Sequence, residues 1–465
     1  MVEGLHAIVG SEGILPVEPP YCLDAQRPQT VVAPQSEQEV ASLIAYAGGH
    51  RFPFLVAGGA TALTVLTPPP TLWWLLSTRR LRGIVDYSPD DLVLTVRAGT
   101  TLQEVQHLLR THGQYLPWNI APSEEATIGG IVAGNRSGSW RYRYGTPRDR
   151  LLQVRAVRGD GVAFCSGAKV VKSVAGYDIH RLLCGSWGTL AALTEITLKV
   201  APLPPMFKAV GWFCEWDLLE PTLAELMRAP LQPDGLSVLV IPQERFEETY
   251  AVSAHERAIE PRFPREQTHH KVSSNAFAPP AGVVELPPPI VYEATDETHP
   301  ETERAVVNSH TPSRPLIVLE FSGLPSGVHW QIEWLRSQGY PLQPIDNAFL
   351  EYQTFLLCPR RHRFMLQLLM RPNEVAEVMM RWARPGISML AHAGSGVVYL
   401  WCEHAEPGAF LQERLRHCAF RWRVWSWPSE ARAPLPPLPL SSGERRLMES
   451  LKRTLDPVGL LPTIG

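Results

Sequence analysis

Chemistry in this chain of 465 residues must come from the few places where small and ionisable residues cluster. The first is Val56-Ala57-Gly58-Gly59-Ala60-Thr61. Adjacent glycines leave backbone N–H groups uncovered, and the concave turn they form can take a diphosphate. Taken alone, an ordinary turn is the simpler reading. The second runs Ala126-Thr127-Ile128-Gly129-Gly130-Ile131-Val132-Ala133-Gly134-Asn135 and continues to Arg143-Tyr144-Gly145-Thr146-Pro147-Arg148-Asp149. Small residues at that spacing let backbone approach a flat ligand. Arg143 and Arg148 either offset phosphate charge or anchor the loop through Asp149. The competing reading is a helix start with small packing residues. The third, Lys169 to Glu195, reads KVVKSVAGYDIHRLLCGSWGTLAALTE. Gly176, Gly185 and Gly188 bracket a helix-like segment, and Thr189 follows on a turn into a strand; the plain alternative is a packed helix–strand hairpin.

His392 stands in Ala391-His392-Ala393-Gly394-Ser395-Gly396-Val397, where its plain reading is a structural residue on a strand edge or interface. The basic run Arg360, Arg361, His362, Arg363 suits a carboxylate, a solvated surface or a partner contact. Other chemistries lack their residues. There is no strict GxGxxG and no P-loop, so neither common phosphate-binding fingerprint is present. The seven cysteines are scattered without a CxxC pair, which reads as free thiols in a reducing cytosol and leaves no iron–sulfur ligation within this chain.

These residues need elements to position them. Thr30 to Ala33 reads as a strand, and Ser36 with Glu39 as a capping box opening a helix. Val40, Leu43, Ile44 and Ala47 form its apolar face, and Gly48 and Gly49 end it. Phe52 to Ala57 is the next strand, which makes a βαβ unit. Leu92 to Ala98 starts a second module. Thr101 and Glu104 cap a helix carrying Val105, Leu108 and Leu109, stopped at Gly113. Leu151 to Val157, Val162 to Cys165 and Leu190 to Val200 are further strands, and Pro202, Pro204 and Pro205 mark a boundary. Beyond it, strands at Leu236 to Ile241, Leu316 to Phe321, Phe364 to Leu369 and Val397 to Trp401 alternate with helices near Val328 to Gln338 and Asn373 to Trp382. That repetition suits an α+β cap. Gln243 to Arg314 is Pro-rich and polar without periodicity, which reads as a flexible insertion. A second Pro-rich stretch, Ala431 to Leu440, leads to a terminal helix near Glu444 to Arg453.

Hydrophobic residues make up 45% of the chain and the net charge is −3. That supports a buried core in two or three domains and no electrostatic footprint for nucleic acid. The apolar run Leu63 to Leu76 is broken by Pro68, Pro69 and Pro70, so no transmembrane segment is expected. The first residues lack the basic and apolar regions of a secretion signal.

The three glycine-rich stretches, in this order and spacing, resemble the FAD-binding domain of the vanillyl-alcohol oxidase / p-cresol methylhydroxylase (PCMH-type) family. The resemblance implies an α+β fold: a PCMH-type FAD-binding domain of two α/β subdomains over 24–203, and a smaller ferredoxin-like α+β cap over 204–430 containing the insertion 243–314. A Pro-rich linker and C-terminal helix follow over 431–465. It implies FAD contacts at Gly58, Gly59, Ala60, Thr61, Thr127, Gly129, Gly130, Gly134, Arg148, Asp149, Gly188 and Thr189. The stretch usually written GSEGTLG here has Trp187 and Ala191 as departures, so only the turn is carried over. Some members hold FAD covalently through a His at the first turn; Ala60 and Thr61 stand here, which implies non-covalent FAD.

Within the family the third stretch is most similar to the E-type FAD-binding subunits of bacterial glycolate oxidases. Leu451-Lys452-Arg453-Thr454-Leu455-Asp456-Pro457-Val458-Gly459-Leu460-Leu461-Pro462 resembles their closing segment, with Leu461 in place of the usual Asn. The implied activity is oxidation of glycolate, a 2-hydroxy acid, to glyoxylate beside a second flavin subunit and an iron–sulfur subunit. The implied location is cytoplasmic, peripheral to the inner membrane where partners hold it. The alternatives are a stand-alone dehydrogenase for D-lactate or a related 2-hydroxy acid, and a non-catalytic flavin-holding scaffold. Catalytic relatives carry a motif of the type HxGDGNxH; His392 matches its first His, but the Asp, Asn and second His are missing, so His392 is the base candidate and no metal site is assigned.

Overall fold

The computed structural model describes residues 2–22, 27–66, 73–169, 177–241, 313–345, 349–350, 353, 356–357, 362–402, 404–418, 420–427 and 440–462. The first layer contains α1 (Val2–Val9), β1 (Ile14–Leu15), β2 (Thr30–Val32), α2 (Glu37–His50), β3 (Phe54–Ala57) and β4 (Trp74–Ser77). Its sheet runs β1-β2-β4-β3, with β4 parallel to both β2 and β3. The expected βαβ unit is present, with β4 slotted between its two strands. Ser36 caps α2 by accepting a hydrogen bond from the Glu39 N–H at 3.2 Å. Gly48 and Gly49 do not end this helix; it continues to His50 and stops at Arg51, whose φ of 56° is left-handed. Each glycine costs a helix about 1 kcal/mol, and the buried face of Val40, Leu43, Ile44 and Ala47 outweighs that.

The second layer holds β5 (Ile84–Ser88), β6 (Val93–Arg97), α3 (Leu102–Arg110), β7 (Gln114–Tyr115), α4 (Ile128–Gly134), α5 (Arg141–Tyr144), α6 (Pro147–Arg150), β8 (Leu151–Arg158), β9 (Ala163–Gly167), α7 (Ile179–Leu183), β10 (Ala191–Lys199) and β11 (Ala201–Pro202). Five of these strands form the antiparallel sheet β5-β6-β10-β8-β9, and β7 pairs with β11. The Thr101–Glu104 capping box of α3 is formed as its spacing predicts. One apolar core joins the two layers: Val40 and Ile44 of α2 pack with Leu94 and Val96 of β6 and Ile196 and Leu198 of β10.

The cap comprises β12 (Met206–Phe213), α8 (Trp216–Arg228), β13 (Gly235–Val240), β14 (Leu316–Gly323), α9 (Pro325–Ser337), β15 (Gln343–Ile345), β16 (Phe364–Leu369), α10 (Val375–Trp382), β17 (Ser388–His392), β18 (Val397–Cys402), α11 (Ala405–Arg416) and β19 (Arg421–Ser426). Its eight-stranded sheet runs β15-β12-β14-β13-β17-β18-β16-β19. That order resolves into two βαββαβ units, β12 to β15 and β16 to β19, joined through the antiparallel pair β13–β17. The ferredoxin-like cap is thus a pair of such units sharing one sheet, with the helices packed on one face. Leu239 pairs with Leu316, so 243–314 joins two neighbouring strands; all of it but Ser313 and Arg314 lies outside the described residues, as do 431–439 of the Pro-rich stretch, 170–176 including Gly176, and Pro68 to Pro70.

A final helix, α12 (Ser442–Leu455), returns to the first two layers. Lys452 Nζ donates to the carbonyls of Thr189 (2.7 Å), Leu461 (3.0 Å) and Pro462 (3.1 Å) and pairs with buried Asp456 at 2.8 Å. Asp456 in turn accepts from the N–H groups of Leu460 and Leu461, both at 3.0 Å, and those two leucines enter the joint core.

The cap meets the second layer at a polar clamp. Buried Glu320 of β14 accepts from Ser139 Oγ and, at 2.7 Å, from Trp140 Nε1. Beside it Arg143 of α5 pairs with buried Asp234 at 2.9 Å and donates to the Ser322 carbonyl at 3.1 Å. Burial pushes the Glu320 carboxyl up to about 7, the neighbouring Asp234 charge adding to the effect, and burial raises Asp234 as well.

Candidate functional site

The first glycine turn leaves β3, and α4 begins against it. Thr127 caps α4 by accepting from the Gly130 N–H at 3.2 Å. A Cβ on Gly58 would sit 1.9 Å from Thr127 Oγ1, and one on Gly59 1.7 Å from the Glu125 carbonyl oxygen. Only hydrogen fits at these two positions. The backbone of both turns therefore faces a cleft of about 690 Å³. Gly188, with φ +72°, brings the turn before β10 to its third side.

Eight of the residues singled out in the sequence line this cleft: Gly58, Gly59, Ala60, Thr61, Thr127, Gly129, Gly130 and Gly188. The other four stand around it in structural positions. A Cβ on Gly134 would meet the Trp187 ring at 3.0 Å, so this glycine makes room for the indole. Asp149 accepts from the Thr146 N–H at 2.7 Å and from Thr146 Oγ1 at 2.9 Å, closing the capping box of α6. Arg148 donates its backbone N–H to Asn135 Oδ1 at 3.2 Å. Thr189 Oγ1 donates to the Ser186 carbonyl at 2.6 Å.

Two residues that the sequence motifs did not single out complete the wall, Arg136 and Trp187. Arg136 is buried, and its Nη1 donates to Thr61 Oγ1 at 2.8 Å. Trp187 holds a left-handed φ of 56°, and its buried Nε1 has no hydrogen-bond partner among the described residues. The one available signal was Trp187 itself, a large side chain where the related turn has a Glu.

Beyond Trp187 lies the cap, on the face of its sheet turned away from α8–α11. Trp425 of β19 meets Trp187 edge to face at 6.1 Å, and the Arg423 guanidinium lies 5.2 Å from the Trp187 ring centre. Trp425 packs on Tyr399 (5.3 Å), and Tyr399 on His392 (5.7 Å). Gln367 Nε2 donates to Tyr399 Oη at 3.0 Å. His392 ends β17, which lies inside the sheet between β13 and β18 and not at an edge. Its Nδ1 is 3.3 Å from Ser237 Oγ, and its Nε2 has no partner among the described residues. Burial, and then the nearby Arg141 charge, push its pKa down to about 3. Burial raises Tyr399, against the pull of Arg141, Gln367, Arg136 and Arg423. In the basic run, Arg360 and Arg361 lie outside the described residues; His362 is buried with Nε2 2.8 Å from the Leu356 carbonyl, and Arg363 stacks on Phe364 at 5.7 Å.

Residues 28–165 match the FAD binding domain family. The chain carries an FAD-binding domain. It is 43% identical to the glycolate oxidase subunit GlcE of Escherichia coli (strain K12), a match covering 35% of this chain and 50% of that protein. It is 28% identical to the glycolate oxidase subunit GlcD of Bacillus subtilis (strain 168), covering 48% of each. The chain thus spans half or less of these curated relatives. Among solved structures, p-cresol methylhydroxylase with substrate bound superposes with a TM-score of 0.64 at 13% identity, covering 99% of this chain and 95% of that one. The fold is therefore that of the PCMH-type flavoproteins.

The cleft fits FAD on its own chemistry. The first turn brings the backbone of Gly58, Gly59 and Ala60 to the cleft, as a diphosphate requires, while the amides of Gly129 and Gly130 in the second are taken by the Ala98 carbonyl and Thr127 Oγ1. Arg136 supplies positive charge at the first turn, and the Trp187 ring forms part of the cleft wall. Among the described residues no helix is long and apolar enough to cross a membrane.

Proposed function

We propose that this chain is the FAD-binding subunit of a 2-hydroxy-acid dehydrogenase that oxidises glycolate to glyoxylate beside a second flavin subunit and passes electrons to an iron–sulfur partner. The observation that carries the proposal is the Arg423–Trp187 contact of 5.2 Å, which brings the cap strand next to Tyr399 and His392 against a residue that lines the glycine-rich cleft. The glycolate oxidase names of the curated relatives support the reaction class.

On this reading Gly58, Gly59, Ala60, Thr61 and Gly188 hold FAD with their backbone, Thr127, Gly129 and Gly130 let it approach closely because they are small, and Arg136 offsets its phosphate charge. Gly134, Arg148, Asp149 and Thr189 keep the cradle in shape from behind. Ala60 and Thr61 offer no histidine, so FAD is held non-covalently. When bound, FAD supplies the two-electron acceptor for the hydride. His392 Nε2 takes the hydroxyl proton, and Arg141 holds the substrate carboxylate beside it. Burial makes His392 a weak base at rest. A carboxylate on Arg141 cancels the repulsion that disfavours the imidazolium, so substrate arrival raises its proton affinity. Residues 24–203 form the cofactor domain, 204–430 the cap, and 431–465 the linker and closing helix.

A stand-alone dehydrogenase for D-lactate or a related acid is favoured by one fact, that the cleft and the His392–Tyr399 pair both come from this chain. The missing Asp, Asn and second His after His392 favour a flavin-holding scaffold. Dye reduction by 2-hydroxy acids, measured on the isolated chain and on the chain co-purified with its partner subunits, separates them. The subunit reading expects glycolate turnover in the complex only. Robust turnover by the isolated chain would overturn it in favour of the stand-alone enzyme.

A further inference from the structure

Tyr399 is buried on β18, and its one hydrogen bond satisfies it only in part. Gln367 Nε2 lies 3.0 Å from its Oη. The direction of that bond is fixed from the far side. Trp425 Nε1, 3.3 Å from Gln367 Oε1, can only donate. The carboxamide oxygen therefore faces Trp425, and the carboxamide NH2 group faces Tyr399. Tyr399 Oη is then the acceptor in this bond, and its own proton has no acceptor among the described residues. Burial raises its pKa, so the hydroxyl keeps that proton. A buried donor is rarely left unused.

The free proton stands beside His392. Leu390 and Tyr399 pair in register across β17 and β18, and His392 lies two residues beyond Leu390. Alternation along a strand puts His392 and Tyr399 on the same face, and their ring centres are 5.7 Å apart. His392 Nε2 is likewise buried without a partner among the described residues. The shared face is turned to the cofactor domain. Thr64 Oγ1 donates to the Trp425 carbonyl at 2.8 Å, and the Arg136 guanidinium of the cleft wall lies 5.8 Å from the Trp425 ring centre. With Nε2 as base, one ring accepts and the other donates. A ligand hydroxyl oxygen does the reverse of both, giving its proton to the first and accepting from the second. We infer that Tyr399 Oη donates to the hydroxyl oxygen of the bound 2-hydroxy acid while His392 takes that oxygen's proton, and that Gln367 is the positioning residue that keeps Tyr399 a donor. Tyr399 retains its own proton and stabilises the negative charge that develops on the oxygen. This inference rests on the reading of the chain as a 2-hydroxy-acid dehydrogenase.

Calorimetric titration of the full-length, FAD-loaded chain with oxalate and with acetate tests it. Oxalate places a charged oxygen where glycolate carries its hydroxyl, and acetate places none there. Tyr399→Phe removes only the phenol oxygen. It should weaken oxalate about ten-fold, the worth of one hydrogen bond to a charged oxygen, and acetate by less than about two-fold. Gln367→Met keeps the phenol but lets its O–H turn away, so oxalate should weaken about three-fold and acetate stay unchanged. Retained flavin absorbance shows that each variant is folded. No oxalate binding by the parent protein, an oxalate affinity unchanged in Tyr399→Phe, or acetate weakened as much as oxalate overturns the inference. An oxalate affinity unchanged in Gln367→Met overturns the positioning role. Glycolate turnover by the chain with its partner subunits is followed in parallel. Turnover together with an unchanged oxalate affinity in Tyr399→Phe removes the donor and leaves the dehydrogenase reading standing. No turnover counts against the dehydrogenase reading, and the oxalate titration still decides whether Tyr399 donates to a ligand oxygen.

Discussion

His392 and Gly59 represent two kinds of functional residue here, one acting through its ring and one through the absence of a side chain. Replacing His392 with Ala should lower kcat in the assembled enzyme by roughly 10²–10⁴-fold, the usual worth of a positioned base; unchanged turnover would remove it from the mechanism. Because burial holds its pKa down at about 3, the kcat/KM profile should show no ascending limb near the ordinary histidine value of 6.5. A limb there would show a solvated imidazole instead. Gly59→Ala puts a methyl 1.7 Å from the Glu125 carbonyl, so it should cost about 1–3 kcal/mol in urea unfolding and most of the bound flavin absorbance. Glycines of this kind were legible in the sequence, because the pattern itself carries the steric argument. Arg136 and Trp187 were not, since their role exists only once β19 of the cap is laid against the turn before β10.

At the level of elements, strands with clean alternation and helices with capping boxes were legible: β6, β8, β10, β16 and α3 fall where the pattern puts them. β17 and β19 were not. β17 is a five-residue strand ending in the histidine read as a site residue, and Arg421-Trp422-Arg423-Val424-Trp425 alternates charge with aromatics, so its buried face looks like surface. The pairing of two βαββαβ units was hidden for a different reason: the 243–314 stretch separates the matching strands of the first unit. The closing helix was legible, but its destination was not. Lys452 and Asp456 strap it to the cofactor layers, with Asp456 fully buried. Asp456→Asn should therefore cost roughly 3 kcal/mol, the order expected on breaking a buried pair, read as a shifted denaturation midpoint. An unshifted midpoint would make the strap incidental.

For the whole molecule, the clamp at Glu320 ties cap to cofactor domain and makes their docking pH-dependent. Its folded pKa of about 7 lies above the ordinary 4.5. The folded state therefore favours the protonated carboxyl. The associated stability is present below about pH 4.5, is lost as pH rises to about 7, and is worth about 3 kcal/mol. Asp234 shifts in the same direction and adds to it. Thermal melts between pH 5 and 8 should show this slope, and Glu320→Gln should reduce it to the part Asp234 contributes; a slope unchanged in the variant would place the titration elsewhere. Ser139, Trp140 and Arg143 reach across to this carboxylate pair, a contact no local sequence pattern reveals.

The claim on which the rest depends is that this chain, by itself, binds FAD. The direct measurement is the absorption spectrum of the purified chain before and after acid precipitation. The expected result is a flavin spectrum that moves wholly into the supernatant, as non-covalent FAD requires. A folded but colourless protein that stays colourless when FAD is added would contradict the account.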